Sequence, residues 1–72
     1  MIKVNYYELE WEDGKTVEDL LQLIKEDRQL RLLTHDTYTV IVNNKLIPPQ
    51  DYAHTPLRSG DEVRVYPVMA GG

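Results

Sequence analysis

The sequence contains no cysteine in its 72 residues. This absence excludes disulfide bonds, thiolate metal ligands and a thiol nucleophile of the chain's own. A domain of this size buries only a modest fraction of its surface, so its hydrophobic core must stabilise the fold without covalent or metal cross-links. A chain without cysteine suits the reducing cytosol, and we expect a cytoplasmic protein.

Positive charge and long apolar runs are also scarce. Eight lysine and arginine residues against twelve acidic residues give a formal net charge of −4, which disfavours nucleic acid and anionic membranes as partners. No apolar run is long enough to span a bilayer, and no signal peptide or lipidation motif is recognisable. We therefore expect one soluble domain, residues 1–72, that binds neither nucleic acid nor membrane.

Recognisable catalytic motifs are missing as well. The four glycines do not form a loop that could cradle phosphate, and His35 and His54 have no hydroxyl or acid at a triad spacing. Three glutamates alternate with apolar residues between positions 8 and 12, a spacing typical of the solvated face of an antiparallel strand rather than of a metal cluster. The sequence therefore predicts that the chain is not an enzyme and binds no metal or cofactor of its own.

The start of the chain predicts a hairpin. Residues 2–5 and 8–12 alternate apolar and polar side chains, as half-buried strands do. Residues 5–7 would form the turn between them. Leu9 and Trp11 fall on one face of the second strand, which is therefore predicted to face the core.

One helix of about eleven residues follows, a usual length for a globular domain. It should begin after Thr16, whose hydroxyl can accept from the first-turn amides, with Asp19 as the partner in a weak form of the capping box. Its apolar residues recur at helical spacing and form one stripe: Val17, Leu20, Leu21 and Ile24. Residues 29–33 either extend the helix or form a separate turn. Their leucines are predicted to cover an edge of the core: Leu30, Leu32 and Leu33.

The second half of the chain predicts another hairpin and a crossover. Residues 38–42 are rich in β-branched and aromatic side chains and predict a central strand. Asn43-Asn44 would form a tight turn into a return strand at residues 45–47, because asparagine tolerates positive φ. Residues 50–58 form an irregular crossover, and a turn at residues 59–61 leads into the final strand. Two side chains should anchor the crossover in the core: Tyr52 and Leu57.

The last ten residues combine a strand with a thin tail. Val63 and Val65 alternate with polar or larger side chains, the pattern of a half-buried strand. Pro67 has no N–H for a sheet ladder, so regular pairing should end near it and residues 67–72 should form a flexible tail. Extended, such a tail reaches roughly 20 Å. Its two terminal glycines lack a Cβ, so the backbone can pass a narrow channel and deliver its carboxylate into a second protein's active site.

The predicted order of elements is hairpin, helix, hairpin, crossover and strand. Sequential hairpins supply two antiparallel pairs, and the rule that parallel crossovers are right-handed is met when the first and last strands are neighbours. The fold class is therefore α+β: a ubiquitin-like β-grasp, with a mixed four- to five-stranded sheet and one main helix packed on one face.

The second half of the chain also carries a family resemblance. Its asparagine turn, its Ser-Gly-Asp turn before the last strand and its terminal Gly-Gly are similar to those of the bacterial sulfur carriers of the ThiS and MoaD family. Asn43-Asn44, Pro48 and Tyr52 resemble the ThiS branch more closely, whereas Tyr66-Pro67-Val68 is similar to the proline-containing tail of the MoaD branch.

The resemblance implies chemistry at the carboxylate of Gly72. A partner enzyme of the ThiF/MoeB type would use ATP to convert this group to an acyl-adenylate, and a persulfide donor would then supply the sulfur of a thiocarboxylate. Thiazole synthase would receive that sulfur in thiamine biosynthesis. Ala70 and Gly71 would thread the tail into the partner's active site. Three apolar side chains would contact the partner, although core packing is an equal alternative for the second of them: Tyr66, Val68 and Met69.

Three alternatives stay open. A carrier of the MoaD branch would deliver sulfur to the large subunit of molybdopterin synthase. A ubiquitin-like protein modifier would end with its glycine carboxylate joined to a lysine of another protein. A non-covalent ubiquitin-like adaptor would never activate its terminus, and the Gly-Gly end argues against it because such a module gains nothing from that end.

Overall fold

The computed structural model of this chain describes residues 1–68. The predicted site residues Met69, Ala70, Gly71 and Gly72 lie outside the described residues. Five strands are present in the described part: β1 (Ile2–Val4), β2 (Tyr7–Leu9), β3 (Tyr38–Val42), β4 (Lys45–Ile47) and β5 (Glu62–Pro67). Helix α1 (Val17–Glu26) follows the first hairpin, and two short 3₁₀ helices lie in the later connections: Arg31–Thr34 and Pro49–His54.

The strands form one mixed sheet in the order β2-β1-β5-β3-β4. β1 runs parallel to β5, and the other neighbouring pairs are antiparallel. The first and last strands are therefore adjacent, as predicted, and β5 occupies the centre of the sheet. This arrangement confirms the ubiquitin-like β-grasp fold with one main helix. β3, predicted to be the central strand, lies beside β5 in the interior of the sheet.

The hydrophobic core lies between α1 and one face of the sheet. Alternate residues of the three interior strands enter it, and Val4, Val40, Val63 and Val65 have 0% exposure. The helix buries the predicted stripe: Val17, Leu20, Leu21 and Ile24. Every fully buried side chain within residues 1–68 is apolar, and each contributes about 1.5–3 kcal/mol relative to exposure. The opposite face of the sheet, which we call the outer face, carries the intervening residues of the strands.

Helix α1 begins as its sequence predicts. The Thr16 hydroxyl accepts from the Asp19 backbone N–H at 3.3 Å, and the Asp19 carboxylate accepts from the Thr16 backbone N–H at 2.8 Å. This complete capping box satisfies two amides that the first helical turn leaves without partners. The start of α1 is therefore set by residues within a single turn.

The end of α1 is set by an aspartate. The Asp27 carboxylate accepts from the backbone N–H groups of Gln29 and Leu30 at 2.8 and 3.1 Å, which folds the chain away from the helix axis. Residues 29–33 therefore form a separate turn rather than an extension of α1. Leu30 is buried as predicted, and the prediction for Leu32 is wrong because it is 71% exposed.

The first hairpin is tighter than predicted. Val4 pairs with Tyr7, so only residues 5 and 6 form the turn, and Asn5 adopts a φ of 53°. β2 then ends at Leu9, and the prediction of a strand through residue 12 is wrong. Trp11 packs against the core as expected, but it lies outside the sheet because β2 has already ended. Its indole N–H donates to the Leu57 carbonyl at 3.1 Å, which holds the side chain in place.

The later elements lie close to their predicted positions. β3 and β4 have the predicted bounds, and Asn43 and Asn44 both have positive φ in the turn between them. The crossover is more regular than expected, since part of it is a 3₁₀ helix. Leu57 is fully buried and Tyr52 packs against the core, which confirms both anchors. Partial burial raises the pKa of the Tyr52 phenol above its ordinary value.

Candidate functional site

The candidate site is the end of β5, from which the chain continues into its last residues. Val63 and Val65 of β5 point into the core, whereas Arg64 and Tyr66 are exposed on the outer face. The alternation follows from the two-residue period of a strand. The strand thus leads directly from the centre of the core to the surface.

One edge of β5 pairs with β3 as far as the strand extends. Tyr66 lies opposite Thr39 and Pro67 opposite Tyr38. The Val68 backbone N–H then donates to the Thr37 carbonyl at 2.8 Å. The predicted start of the tail at residue 67 is therefore wrong, because Pro67 belongs to β5 and the Val68 N–H is bonded to the chain segment before β3.

Pro67 is compatible with this pairing because of the direction in which its nitrogen faces. Successive residues of a strand direct their N–H and C=O groups to alternate edges. Val63 and Val65 bond towards β1, and Val68 bonds towards β3. The Pro67 nitrogen consequently faces the β1 side, beyond the end of that strand, where its missing N–H removes no bond of the β3–β5 ladder.

The other edge of β5 is held by Asn5. The Asn5 backbone N–H donates to the Val63 carbonyl at 2.9 Å, and the side-chain amide bonds to Val65 at both backbone groups. The Asn5 Nδ2 donates to the Val65 carbonyl at 3.0 Å, and the Val65 N–H donates to the Asn5 Oδ1 at 2.8 Å. The sequence indicated a turn at Asn5 but gave no signal that its side chain reaches a strand 60 residues away.

The outer face beside the end of β5 is a shallow cleft of ≈ 400 Å³. It is lined by Lys3, Asn5, Tyr6, Glu62, Arg64 and Tyr66. Arg64 donates to the Glu62 carboxylate at 2.9 Å, and this hydrogen bond raises the pKa of the guanidinium above its ordinary value. The cleft therefore combines paired charges with the exposed rings of two tyrosines, a composition typical of the rim of a protein interface.

The predicted contact residues that the structure describes are both at the surface. Tyr66 is 45% exposed and Val68 is 46% exposed. Core packing, the alternative role for Val68, is therefore excluded, and contact with a partner stays a prediction for both residues. Apolar groups at such positions can be desolvated by a partner at no cost to the core.

Three observations concern groups away from β5. His35 and His54, for which the sequence offers no triad partner, are both exposed. Within residues 1–68 no three His, Asp or Glu side chains are grouped so that they could hold a metal ion. None of the helices described in this range is long and apolar enough to cross a membrane.

Comparisons with known proteins give one family and one fold. The model of the ThiS family matches residues 3–72. A solved structure, the thiamine biosynthesis protein (ThiS) from Geobacter metallireducens, superposes with a TM-score of 0.74 at 22% sequence identity. The match covers 99% of this chain and 97% of that one. A search of curated proteins found no match. The superposition supports the β-grasp assignment, and the family match includes the last four residues, which the structure does not describe.

Proposed function

This chain belongs to the ThiS family, and from that membership we propose that it carries sulfur for thiamine biosynthesis as a thiocarboxylate on Gly72. Membership of the family identifies the chain as a sulfur carrier rather than an enzyme, in agreement with the sequence prediction. The same match favours the thiamine branch over the molybdopterin branch. No feature of residues 1–68 favours a protein modifier or an adaptor.

The proposed chemistry begins by activating the carboxylate. An ionised carboxylate resists nucleophiles, because its charge repels them and oxide is a poor leaving group. Attack of the Gly72 carboxylate on the α-phosphate of ATP forms an acyl-adenylate and releases pyrophosphate. A persulfide then attacks the acyl carbon and displaces AMP, and a thiol reduces the resulting S–S bond to leave the thiocarboxylate. The partner proteins supply the catalytic groups for these steps.

The observation that supports this proposal is the continuity of β5 with the terminal segment. The strand is buried at Val63 and Val65 and hydrogen-bonded through Val68. Four further residues lead to Gly72, and when extended they reach about 13 Å beyond Val68. A short, side-chain-poor segment of that reach can place a main-chain carboxylate inside a partner while the folded domain stays outside it.

The proposal names three partners and a docking surface. An adenylating enzyme of the ThiF type would bind ATP and the carrier, a persulfide protein would donate sulfur, and thiazole synthase would accept it. Tyr66, Val68 and Met69 would contact the adenylating enzyme, with Ala70 and Gly71 in its channel. We place these reactions in the cytoplasm, where ATP and thiol reductants are both present.

Deletion of Gly72 tests the proposal. The truncated chain still ends in a glycine carboxylate, but this group is drawn back by about 3.5 Å. Because a misplacement of about 1 Å can cost roughly a hundredfold in rate, we expect ATP–pyrophosphate exchange with the adenylating enzyme to fall at least that far. Thermal melting should match that of the full chain, since the core lies within residues 1–68. Exchange at the full-length rate would refute the proposal.

A further inference from the structure

The side chain of Asn5 occupies a place that the backbone of β1 would otherwise fill. The Lys3 N–H donates to the Asp61 carbonyl and the Asn5 N–H to the Val63 carbonyl, so alternate donors in and just after β1 meet alternate carbonyls at the start of β5. The next carbonyl in this series is that of Val65. The chain has by then turned towards β2, and the donor that meets this carbonyl is the Asn5 Nδ2.

The same side chain also supplies the matching acceptor. In a regular parallel ladder the Asn5 backbone carbonyl would accept from the Val65 N–H. The positive φ of Asn5 turns the backbone away, and the Asn5 Oδ1 accepts from the Val65 N–H instead. Asparagine is suited to this position because it tolerates positive φ and carries a donor and an acceptor on one planar amide.

Within residues 1–68, the β1 edge of β5 has no hydrogen bond to β1 or its turn beyond Val65. Pro67 has no N–H to offer on that side, and Tyr66 and Val68 bond towards β3. The Asn5 amide is therefore the final hydrogen-bonded contact on the β1 side before the terminal segment. Without it, β3 alone would hold the end of β5.

We propose that Asn5 is a positioning residue, which fixes the end of β5 and so sets the direction in which the terminal segment leaves the domain. This inference rests on the proposed function for its catalytic consequence. A strand end held on both edges presents the terminal segment in one direction, whereas one held on a single edge can rotate about that edge. Tyr66 and Val68, the proposed contacts with the adenylating enzyme, keep their side chains when Asn5 is changed, so the main effect falls on the placement of Gly72 after docking.

The test uses three variants of the full chain with the adenylating enzyme. Asn5→Gly keeps the positive φ and removes both side-chain bonds. Asn5→Asp keeps an acceptor for the Val65 N–H and loses the donor to its carbonyl. Asn44→Gly is the matched control. Asn44 also has a positive φ, 69°, but it lies in the turn between β3 and β4, which are on the opposite side of β5 from β1 in the strand order. Each variant is assayed at a temperature where melting shows it to be folded.

We expect kcat for ATP–pyrophosphate exchange to fall about tenfold in Asn5→Gly. KM for the carrier should rise by a smaller factor, because the proposed contacts Tyr66 and Val68 are still present but lie on the strand end that Asn5 fixes. Asn5→Asp should give a smaller loss, and Asn44→Gly should leave both constants unchanged. A merely structural role predicts a lower melting temperature for Asn5→Gly with kcat preserved. That result, or an equal loss of kcat in Asn44→Gly, overturns the inference.

A second readout does not depend on activity. Backbone ¹⁵N relaxation and hydrogen exchange should show a less protected Val65 amide, and lower order parameters at Tyr66 and Val68, in Asn5→Gly but not in Asn44→Gly. If the original chain supports no exchange, the proposed function fails, and these amides still decide the inference. Unchanged order parameters at Tyr66 and Val68 would overturn it in either case.

Discussion

The two halves of β5 are built differently although they belong to one short strand. At the first half, Glu62 pairs with β1 and Val63 pairs with both β1 and β3, and the Asn43 side chain accepts from the Glu62 N–H at 3.0 Å. At the second half, Tyr66 and Pro67 pair with β3 alone and are exposed. The first half is therefore fixed by many contacts, and the second by few.

Residues that stabilise the fold and residues that are free to contact a partner therefore lie in different halves of one strand. Val63 lies at the centre of the sheet with 0% exposure, so any change there disturbs the packing of several elements. Tyr66, three residues later, projects from the outer face and can be changed without opening the core. The domain can therefore keep the strand that leads to its terminal segment in the core and still leave a surface free for the proposed partners.

Substitution by aspartate in each half gives the largest expected contrast. Val63→Asp would bury an unpaired carboxylate in a domain whose total stability is about 4–10 kcal/mol, and it should unfold the chain. Tyr66→Asp places the same charge at the surface and should change the free energy of unfolding by less than about 1 kcal/mol. Circular dichroism during thermal melting distinguishes the two. A cooperative transition near that of the original chain for Val63→Asp would show that the core is misplaced.

Truncation of Tyr66 tests whether the second half of β5 contacts the partner. If this ring contacts the adenylating enzyme, Tyr66→Ala should raise KM for the carrier about tenfold, the loss expected for a moderate interface residue. Leu23→Ala is the matched control, because Leu23 is similarly exposed, at 39%, but lies on α1, across the sheet from the outer face. Steady-state exchange at varied carrier concentration measures both. Equal KM values for the two variants would remove Tyr66 from the interface.

The parts of this fold that could be predicted are those specified by neighbouring residues. The capping box of Thr16 and Asp19 lies within one helical turn, and the Asn43-Asn44 turn needs only residues that tolerate positive φ. Alternation predicted which side of β5 enters the core, because period and burial are linked in any half-buried strand. Exposure of Tyr66 followed from the same pattern.

The parts that could not be predicted depend on distant contacts. The Asn5 amide meets Val65 across 60 positions of sequence, and the Trp11 indole leaves the strand pattern to bond with a carbonyl 46 residues away. The ladder continues past Pro67 because the proline nitrogen faces away from β3, a direction that depends on sheet order rather than on local sequence. Such features become visible only when the strands are in place.

The most direct test of the account is the mass of the chain after reaction with its adenylating enzyme, ATP and a persulfide donor. If Gly72 is the activated group, intact-mass spectrometry will show the original chain exchanging one carboxylate oxygen for sulfur. A chain with one alanine added after Gly72 should melt identically and show no exchange, since Gly72 is then an amide and a methyl group enters the channel. Oxygen-to-sulfur exchange at the original rate in the extended chain, with its alanine still present by mass, would contradict the assignment of Gly72 as the activated group.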